Sequence, residues 1–288
     1  MADGQKKRIP HVLSIAGVDP SGGAGVLADI KAMSACGAYA CGVITALTAQ
    51  NTKGVTGVMP VPAAFVTEQL NTLFEDVRID AVKIGMLNDC EVIEAVASAI
   101  ERWKPRWVVL DPVMVAKSMD RLLREDAVER LRTRLLPLAS VITPNIPEAG
   151  ELLGIPTGAV AEDPEESARK LRQLMGRREG AWVLLKGGHL SGEQSTDLLT
   201  DGLATARFSE PRIETANTHG TGCTLSSALA AYLASTNDML NAVRLAKAYI
   251  TGAIRHADEL DVGSGHGPTH HFFAMWPKVD EGGASDKA

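Results

Sequence analysis

Apolar positions follow two alternating rhythms along this chain. Short, mainly apolar runs stand at 11–16, 41–49, 81–84, 107–110, 141–143 and 181–185, most of them closed by Gly, Asp or Pro. Runs of that length without polar alternation predict strands buried on both faces. Between them, apolar residues recur at helical spacing: Val26, Leu27, Ile30 and Met33; Val66, Leu70 and Leu73 within 62–74; Val92, Ile93, Val96 and Ile100. Asn88 or Asp89 is placed to cap the third of these helices. Further helices are predicted over 126–135, 223–234 and 239–258. Another starts at Asp163-Pro164-Glu165-Glu166, where a cap, a first-turn proline and acids at the positive helix end coincide. It ends near Gly176. Residues 197–208, with Asp201-Gly202 at the centre, predict a β-hairpin.

Strand and helix alternate throughout, so the fold class is α/β, with a mainly parallel sheet and helices on both faces. Ligands in such folds bind beyond the carboxyl ends of the strands. There the chain places Gly17, Gln50, Met86, Asp111, Asn145, Glu148 and Lys186. No repeat or long linker divides the chain. The expected organisation is a disordered leader over 1–10, one domain over 11–277 and a flexible tail over 278–288.

With 288 residues, 45% of them hydrophobic, a large core is within reach. A formal charge of −6 without a long basic run argues against nucleic acid as a partner. No apolar run reaches membrane-spanning length, and 1–10 is polar with no hydrophobic signal segment behind it. Cys36, Cys41, Cys90 and Cys223 show no CxxC spacing, as expected of a reduced, cytoplasmic protein.

The most informative stretch is Asn217-Thr218-His219-Gly220-Thr221-Gly222-Cys223, which opens directly into an apolar helix. A helix start leaves backbone N–H groups unpaired and carries partial positive charge, and Gly220 and Gly222 let an anion approach them. The same field would favour a thiolate at Cys223. From these residues alone a second reading stands: an ordinary Gly-rich turn, with Cys223 as a small buried hydrophobe. Asp111, Glu148 and Lys186 weigh for the first. Two carboxylates to hold Mg²⁺ through water, a lysine opposite phosphate and a backbone anion hole are the parts of a phosphoryl-transfer site. Other site classes lack their motifs. There is no GxxxxGK[ST], GxGxxG spacing, HExxH, GxSxG or protein-kinase HRD/DFG set. His270-His271, ahead of Phe272-Phe273, fits core packing better than a metal site.

Eight stretches resemble one family in order along the chain: IAGVDPSGGAGVLADIK (15–31), VITALTAQNT (43–52), VKIGML (82–87), VLDPVM (109–114), ITPNIPEA (142–149), LLKGGH (184–189), NTHGTGCTLSSALAA (217–231) and GHGPTHH (265–271). On these the chain is identified as a member of the hydroxymethylpyrimidine/phosphomethylpyrimidine kinases of thiamine biosynthesis, in the ribokinase-like superfamily. The resemblance implies a three-layer αβα sandwich. It also implies ATP-dependent phosphorylation of 4-amino-5-hydroxymethyl-2-methylpyrimidine to its monophosphate and then its diphosphate, in a homodimer with ATP and Mg²⁺.

By position, Asp29 and Gln50 resemble pyrimidine anchors, Asp29 holding the hydroxymethyl group or a water and Gln50 the amino-pyrimidine edge. Gly17, Met86 and Val113 would line the pocket. Asn145 and Glu148 match the NxxE motif for Mg²⁺ and phosphate, with Asp111 a second metal-side carboxylate and Lys186 and Thr218 on the phosphate side. Gly220, Thr221, Gly222 and Cys223 would form the anion hole. Cys223 stands where sugar kinases carry their aspartate base, and the hole is expected to carry more of the rate than the thiol. The chain departs from the pattern at Met119-Asp120, where Gly-Asp is usual, and at Ser264, where lysine is frequent. The alternative activity is that of a pyridoxal kinase. A catalytically silent sensor is disfavoured by the intact Asp111, Glu148, Lys186 and GTG glycines.

Overall fold

The computed structural model describes residues 8–114, 125–176, 179–188 and 192–277. Residues 1–7 of the expected leader, the 278–288 tail and the departure at Met119 lie outside the described residues.

Nine strands form one sheet: β1 (His11–Val18), β2 (Tyr39–Asn51), β3 (Gly54–Pro60), β4 (Ala81–Ile84), β5 (Trp107–Leu110), β6 (Val141–Ile142), β7 (Trp182–Leu185), β8 (Gln194–Thr200) and β9 (Thr205–Pro211). Their spatial order is β3-β2-β1-β4-β5-β6-β7-β8-β9. The six strands from β2 to β7 in that order run parallel, whereas β3, β8 and β9 add antiparallel edges. Two of those edge strands form the predicted hairpin, which is longer than 197–208.

The helices are α1 (Gly25–Ala35), α2 (Ala63–Asp76), α3 (Cys90–Trp103), α4 (Glu125–Arg130), α5 (Ile146–Leu153), α6 (Thr157–Glu162), α7 (Pro164–Leu174), α8 (Thr221–Thr236) and α9 (Met239–Arg255). Side chains alternate across each strand. Leu13, Ile15, Val82, Ile84, Val108, Leu110, Ile142, Val183 and Leu185 therefore pack on one face with α2, α3, α5 and α7. Val12, Ala81, Val109, Val141 and Leu184 pack on the other with α8 and α9. These two cores give the three-layer α/β sandwich that the strand and helix patterns predict.

Four elements differ from expectation. β3 was not predicted: it is an edge strand whose outer half is exposed, so no apolar run marks it. α5 and α6 fill the stretch after Asn145, where Pro147 and Pro156 interrupt the helical signal yet sit in or beside first turns, positions a proline tolerates. The helix expected over 126–135 is α-helical only to Arg130, then widens over Leu131–Leu135 and tightens over Leu136–Leu138. Asp89, not Asn88, caps α3 by accepting the Val92 N–H at 2.9 Å.

Candidate active site

Asp111 follows the last residue of β5, and Lys186 follows β7, both at carboxyl ends of parallel strands that flank β6. The Lys186 backbone continues the sheet, its N–H donating to the Pro144 carbonyl at 2.9 Å. Its Nζ donates to Asp111 Oδ1 at 2.8 Å and lies 3.8 Å from Glu148 Oε2. Thr143 Oγ1 donates to Asp111 Oδ1 at 2.9 Å, and Ser226 Oγ to Oδ2 at 3.3 Å. Burial pushes the Asp111 carboxyl up, but the charges of Lys186 and Lys83 with these hydrogen bonds outweigh it and hold it below the usual range. The same carboxylates oppose the burial penalty on Lys186 and hold its ammonium well above its ordinary value.

Glu148 caps α5 reciprocally with Asn145: Asn145 N–H donates to Glu148 Oε2 and Glu148 N–H to Asn145 Oδ1, each at 2.8 Å. This fixes the carboxylate at the rim. Burial, against the pull of Lys186 and with repulsion from Asp111, pushes it up to about 7.

The 217–223 loop reaches this pair from the other side. Gly220 has φ +74°, and a Cβ there would overlap the Gly23 carbonyl, so the two Gly-rich loops touch backbone to backbone. The first α-helical bond of α8 runs from Thr224 N–H to the Gly220 carbonyl at 2.8 Å, so Thr221, Gly222 and Cys223 form its first turn. The Thr221 hydroxyl donates to the half-buried Thr218 carbonyl at 2.8 Å, closing the turn. A Cβ on Gly222 would stand 3.2 Å from Lys186 Nζ and 3.7 Å from Asp111 Oδ2. Backbone cradle, lysine and carboxylate therefore converge on one point. Thr218 N–H donates to the Ala216 carbonyl at 3.1 Å.

The thiolate expected at Cys223 is not favoured. Burial pushes the thiol up to about 11; Lys83 and the Gly25 N–H pull down, but the carboxylates of Asp29 and Asp111 reinforce burial. Desolvation and two nearby negative charges outweigh the helix dipole.

On the substrate side, Gly17 packs against Met86: a Cβ there would lie 2.6 Å from Met86 Cε. Thr45 fixes Met86 by donating to its carbonyl at 2.7 Å, and Val113 stands half-buried two residues past Asp111. Gln50, near the end of β2, lies 3.5 Å from His219 Nε2, which contacts Asp19 Oδ2 at 2.7 Å. Asp19 also accepts from Ser21 and the Ala24 N–H, which closes the loop between β1 and α1.

Asp29 requires a correction. It has no exposed surface, and its oxygens accept from Ser14 Oγ at 2.6 Å, Ser227 Oγ at 2.8 Å, and Lys83 Nζ at 2.9 and 2.7 Å. A carboxylate enclosed in this way supports the floor of the site rather than touching a substrate's hydroxymethyl group. Lys83, its partner, was not singled out from the sequence. The signal was a charge inside the apolar run AVKI, which demands a buried counter-ion. Ser14, Ser226, Ser227, Thr143, Asp19 and His219 were likewise given no role; their contacts join distant stretches.

Among the described residues no group of three His, Cys, Asp or Glu is arranged to hold a metal ion. Asp111 is already committed to Lys186, Thr143 and Ser226, so direct ligation by both carboxylates does not fit. The donor set does fit Mg²⁺ carried by nucleotide phosphates and reached through water, since Mg²⁺ commonly takes only one or two protein carboxylates. His271 is buried and bonded to Thr224 at 3.0 Å, and burial with the nearby charges pushes it down to about 3. The histidine pair is packing, as expected.

The phosphomethylpyrimidine kinase family model matches residues 19–270. The hydroxymethylpyrimidine/phosphomethylpyrimidine kinase of Escherichia coli K12 is 52% identical over 270 residues, covering 94% of this chain and all of that protein. Among solved structures, an ADP complex of Bacillus subtilis pyridoxal kinase superposes with TM-score 0.84 at 34% identity, covering 94% of this chain and 100% of the other. The phosphomethylpyrimidine kinase of Clostridium difficile 630 does so with TM-score 0.72 at 41% identity, covering 86% and 100%. With the family model over 19–270, 52% identity across nearly the whole chain and the shared αβα sandwich, this chain belongs to the phosphomethylpyrimidine kinase family.

Proposed function

We propose that this protein transfers the terminal phosphoryl group of ATP to the hydroxymethyl oxygen of 4-amino-5-hydroxymethyl-2-methylpyrimidine, and then phosphorylates the monophosphate to the diphosphate. The observation that carries this reading is the approach of Gly222 to Lys186 Nζ and Asp111, which leaves room for a phosphoryl oxygen between backbone N–H groups and an ammonium. In the transfer, an O–P bond forms from the hydroxymethyl oxygen as the bond to the ADP oxygen breaks, and the alcohol proton is released. Phosphoryl transfer places most of its charge on the phosphoryl oxygens, so positioning and charge stabilisation dominate. The 220–223 cradle and Lys186 supply both.

Cys223 is a neutral thiol in the cradle, too weak an acid to hold a standing negative charge there. Asn145 and Glu148 orient the phosphate-side water shell, and Mg²⁺, when bound, neutralises charge on the nucleotide phosphates. Gly17, Met86 and Val113 enclose the ring, and Gln50 meets its polar edge. The exposed edge strand β3, where the cross-strand pair Leu47 and Met59 is 41% and 60% exposed, supports the homodimer reading.

Pyridoxal phosphorylation is the second reading, favoured by the TM-score of 0.84 to a pyridoxal kinase. The test is product mass after incubation with ATP and Mg²⁺. Mono- and diphosphate from the pyrimidine support the proposal. Turnover of pyridoxal alone overturns it.

A further inference from the structure

Gln50 is flanked by two groups whose protons are already committed. Thr48 Oγ1 donates its single proton to the Val18 carbonyl at 2.8 Å, yet lies 3.1 Å from Gln50 Oε1. A hydroxyl has one proton, so toward Gln50 it can only accept. On the other side, His219 Nε2 is 2.7 Å from Asp19 Oδ2 and 3.5 Å from Gln50 Nε2. Asp19 also accepts from Ser21 N–H and Ser21 Oγ–H at 2.9 Å and from Ala24 N–H at 3.0 Å. A carboxylate that takes four donors is an acceptor only. Burial opposes its ionisation, but the bonds from His219 and Ser21 prevail and hold the carboxyl below its ordinary value. His219 Nε2 must then carry the proton and is a donor.

As placed, the amide therefore sets oxygen against a committed hydroxyl oxygen and NH₂ against an N–H. Side-chain amide oxygen and nitrogen are assigned from their neighbours, and here both neighbours demand the same half-turn. After it, Nε2 donates to Thr48 Oγ1, and Oε1 instead of NH₂ faces the His219 Nε2–H, whose proton is bonded to Asp19 Oδ2. Each side removes one conflict independently of the other.

We infer that the Asp19–His219 pair and the Val18–Thr48 bond lock the Gln50 amide in one orientation, carbonyl toward the phosphate cradle and NH₂ away from it, and so select a ring carrying an amino group next to a ring nitrogen. His219 immediately precedes Gly220 of the cradle, so the carbonyl side is the side nearer the transferred group. The locked amide keeps one carbonyl lone pair and one N–H for a ligand. That pair matches an exocyclic amine beside the reacting arm and a ring nitrogen one atom farther on. A pyridine whose nitrogen has only C–H neighbours on that edge leaves the carbonyl unpaired, and such sites discriminate strongly. His219 and Thr48 are thus positioning residues acting through Gln50. This inference rests on the proposed pyrimidine substrate.

The test separates the two. In ligand-free, isotopically labelled full-length protein, ¹⁵N spectra should show His219 protonated at Nε2, and the Gln50 NH₂ protons should give NOEs to the Thr48 methyl. An unprotonated Nε2, or NOEs from the NH₂ to the His219 ring instead, overturns the lock whatever the enzyme phosphorylates. In kinetics, Thr48→Val should raise KM for the aminopyrimidine about 10-fold with kcat nearly unchanged and erode the preference over pyridoxal, while Thr48→Ser restores both. Equal loss on both substrates, or no rescue by serine, would reduce Thr48 to a structural residue and overturn the assignment. Absence of pyrimidine turnover in the wild type with the NMR result intact would refute the substrate and spare the lock.

Discussion

Gly222 faces Lys186 so closely that a methyl group on its Cα would stand 3.2 Å from the ammonium nitrogen. The helix start and the lysine share one small space, the one proposed for the phosphoryl oxygen. Gly222→Ala puts a methyl there without a strained φ, against the end of a flexible side chain. We expect kcat to fall about 100- to 1000-fold, the scale of losing one oxyanion donor, with Tm nearly unchanged. Steady-state kinetics beside a thermal melt checks this; a matching loss of stability would mean the glycine serves folding.

Cys223 should behave as a protonated thiol at working pH. With the thiol at about 11 rather than 9.0, its thiolate fraction near neutrality is about 100-fold below that of an unperturbed cysteine. Alkylation followed by mass spectrometry should be correspondingly slow at pH 7.5 and rise through alkaline pH. Because the folded value is raised, this group's contribution to stability is full below pH 9 and is lost as pH climbs toward 11. Cys223→Ser should cost less than about 10-fold in turnover, since a general base is secondary in this chemistry. A loss of several orders with binding intact would restore the thiolate base.

The buried Lys83–Asp29 pair invites a double-mutant cycle. Lys83→Met leaves a fully enclosed carboxylate without its cation and should destabilise by about 3–5 kcal/mol, as should Asp29→Leu in reverse. The double variant should lose less than the sum of the singles, because no charge is then left unpaired. Urea unfolding measures all three. Strict additivity would show that the pair does not interact.

Lys186→Ala removes the charge opposite phosphate and strands Asp111. Turnover should drop and KM for ATP rise. Lys186→Arg should fail to restore either, because a planar guanidinium cannot reproduce the Nζ geometry between Asp111 and Gly222. Kinetics equal to wild type in the alanine variant would remove Lys186 from the site.

The strands from 81–84 to 181–185 were legible because burial on both faces forces solid apolar runs, and the helices of α1, α3, α7, α8 and α9 because one apolar stripe must meet the sheet. β3 escaped notice because an edge strand buries little. α5 escaped because its eight residues include Pro147 in the first turn and are too few to show a long stripe. The placement of Asp111, Glu148, Lys186 and the 220–223 turn along one rim was readable from local rules, since strand ends and helix starts are where a parallel sheet presents polar groups.

What the sequence determined alone was the layer order and the rim on which the polar residues stand, because periodicity and turn residues act over a few positions. Only the tertiary structure decided which of them are charged, enclosed or free to meet a ligand. Asp29 sinks beneath the site because Lys83 lies 54 positions away in sequence but 2.7 Å away in space. Cys223 loses its expected thiolate to burial and to two carboxylates from other elements. Electrostatic environment is a property of neighbours brought together by folding, and no local pattern along the chain encodes it.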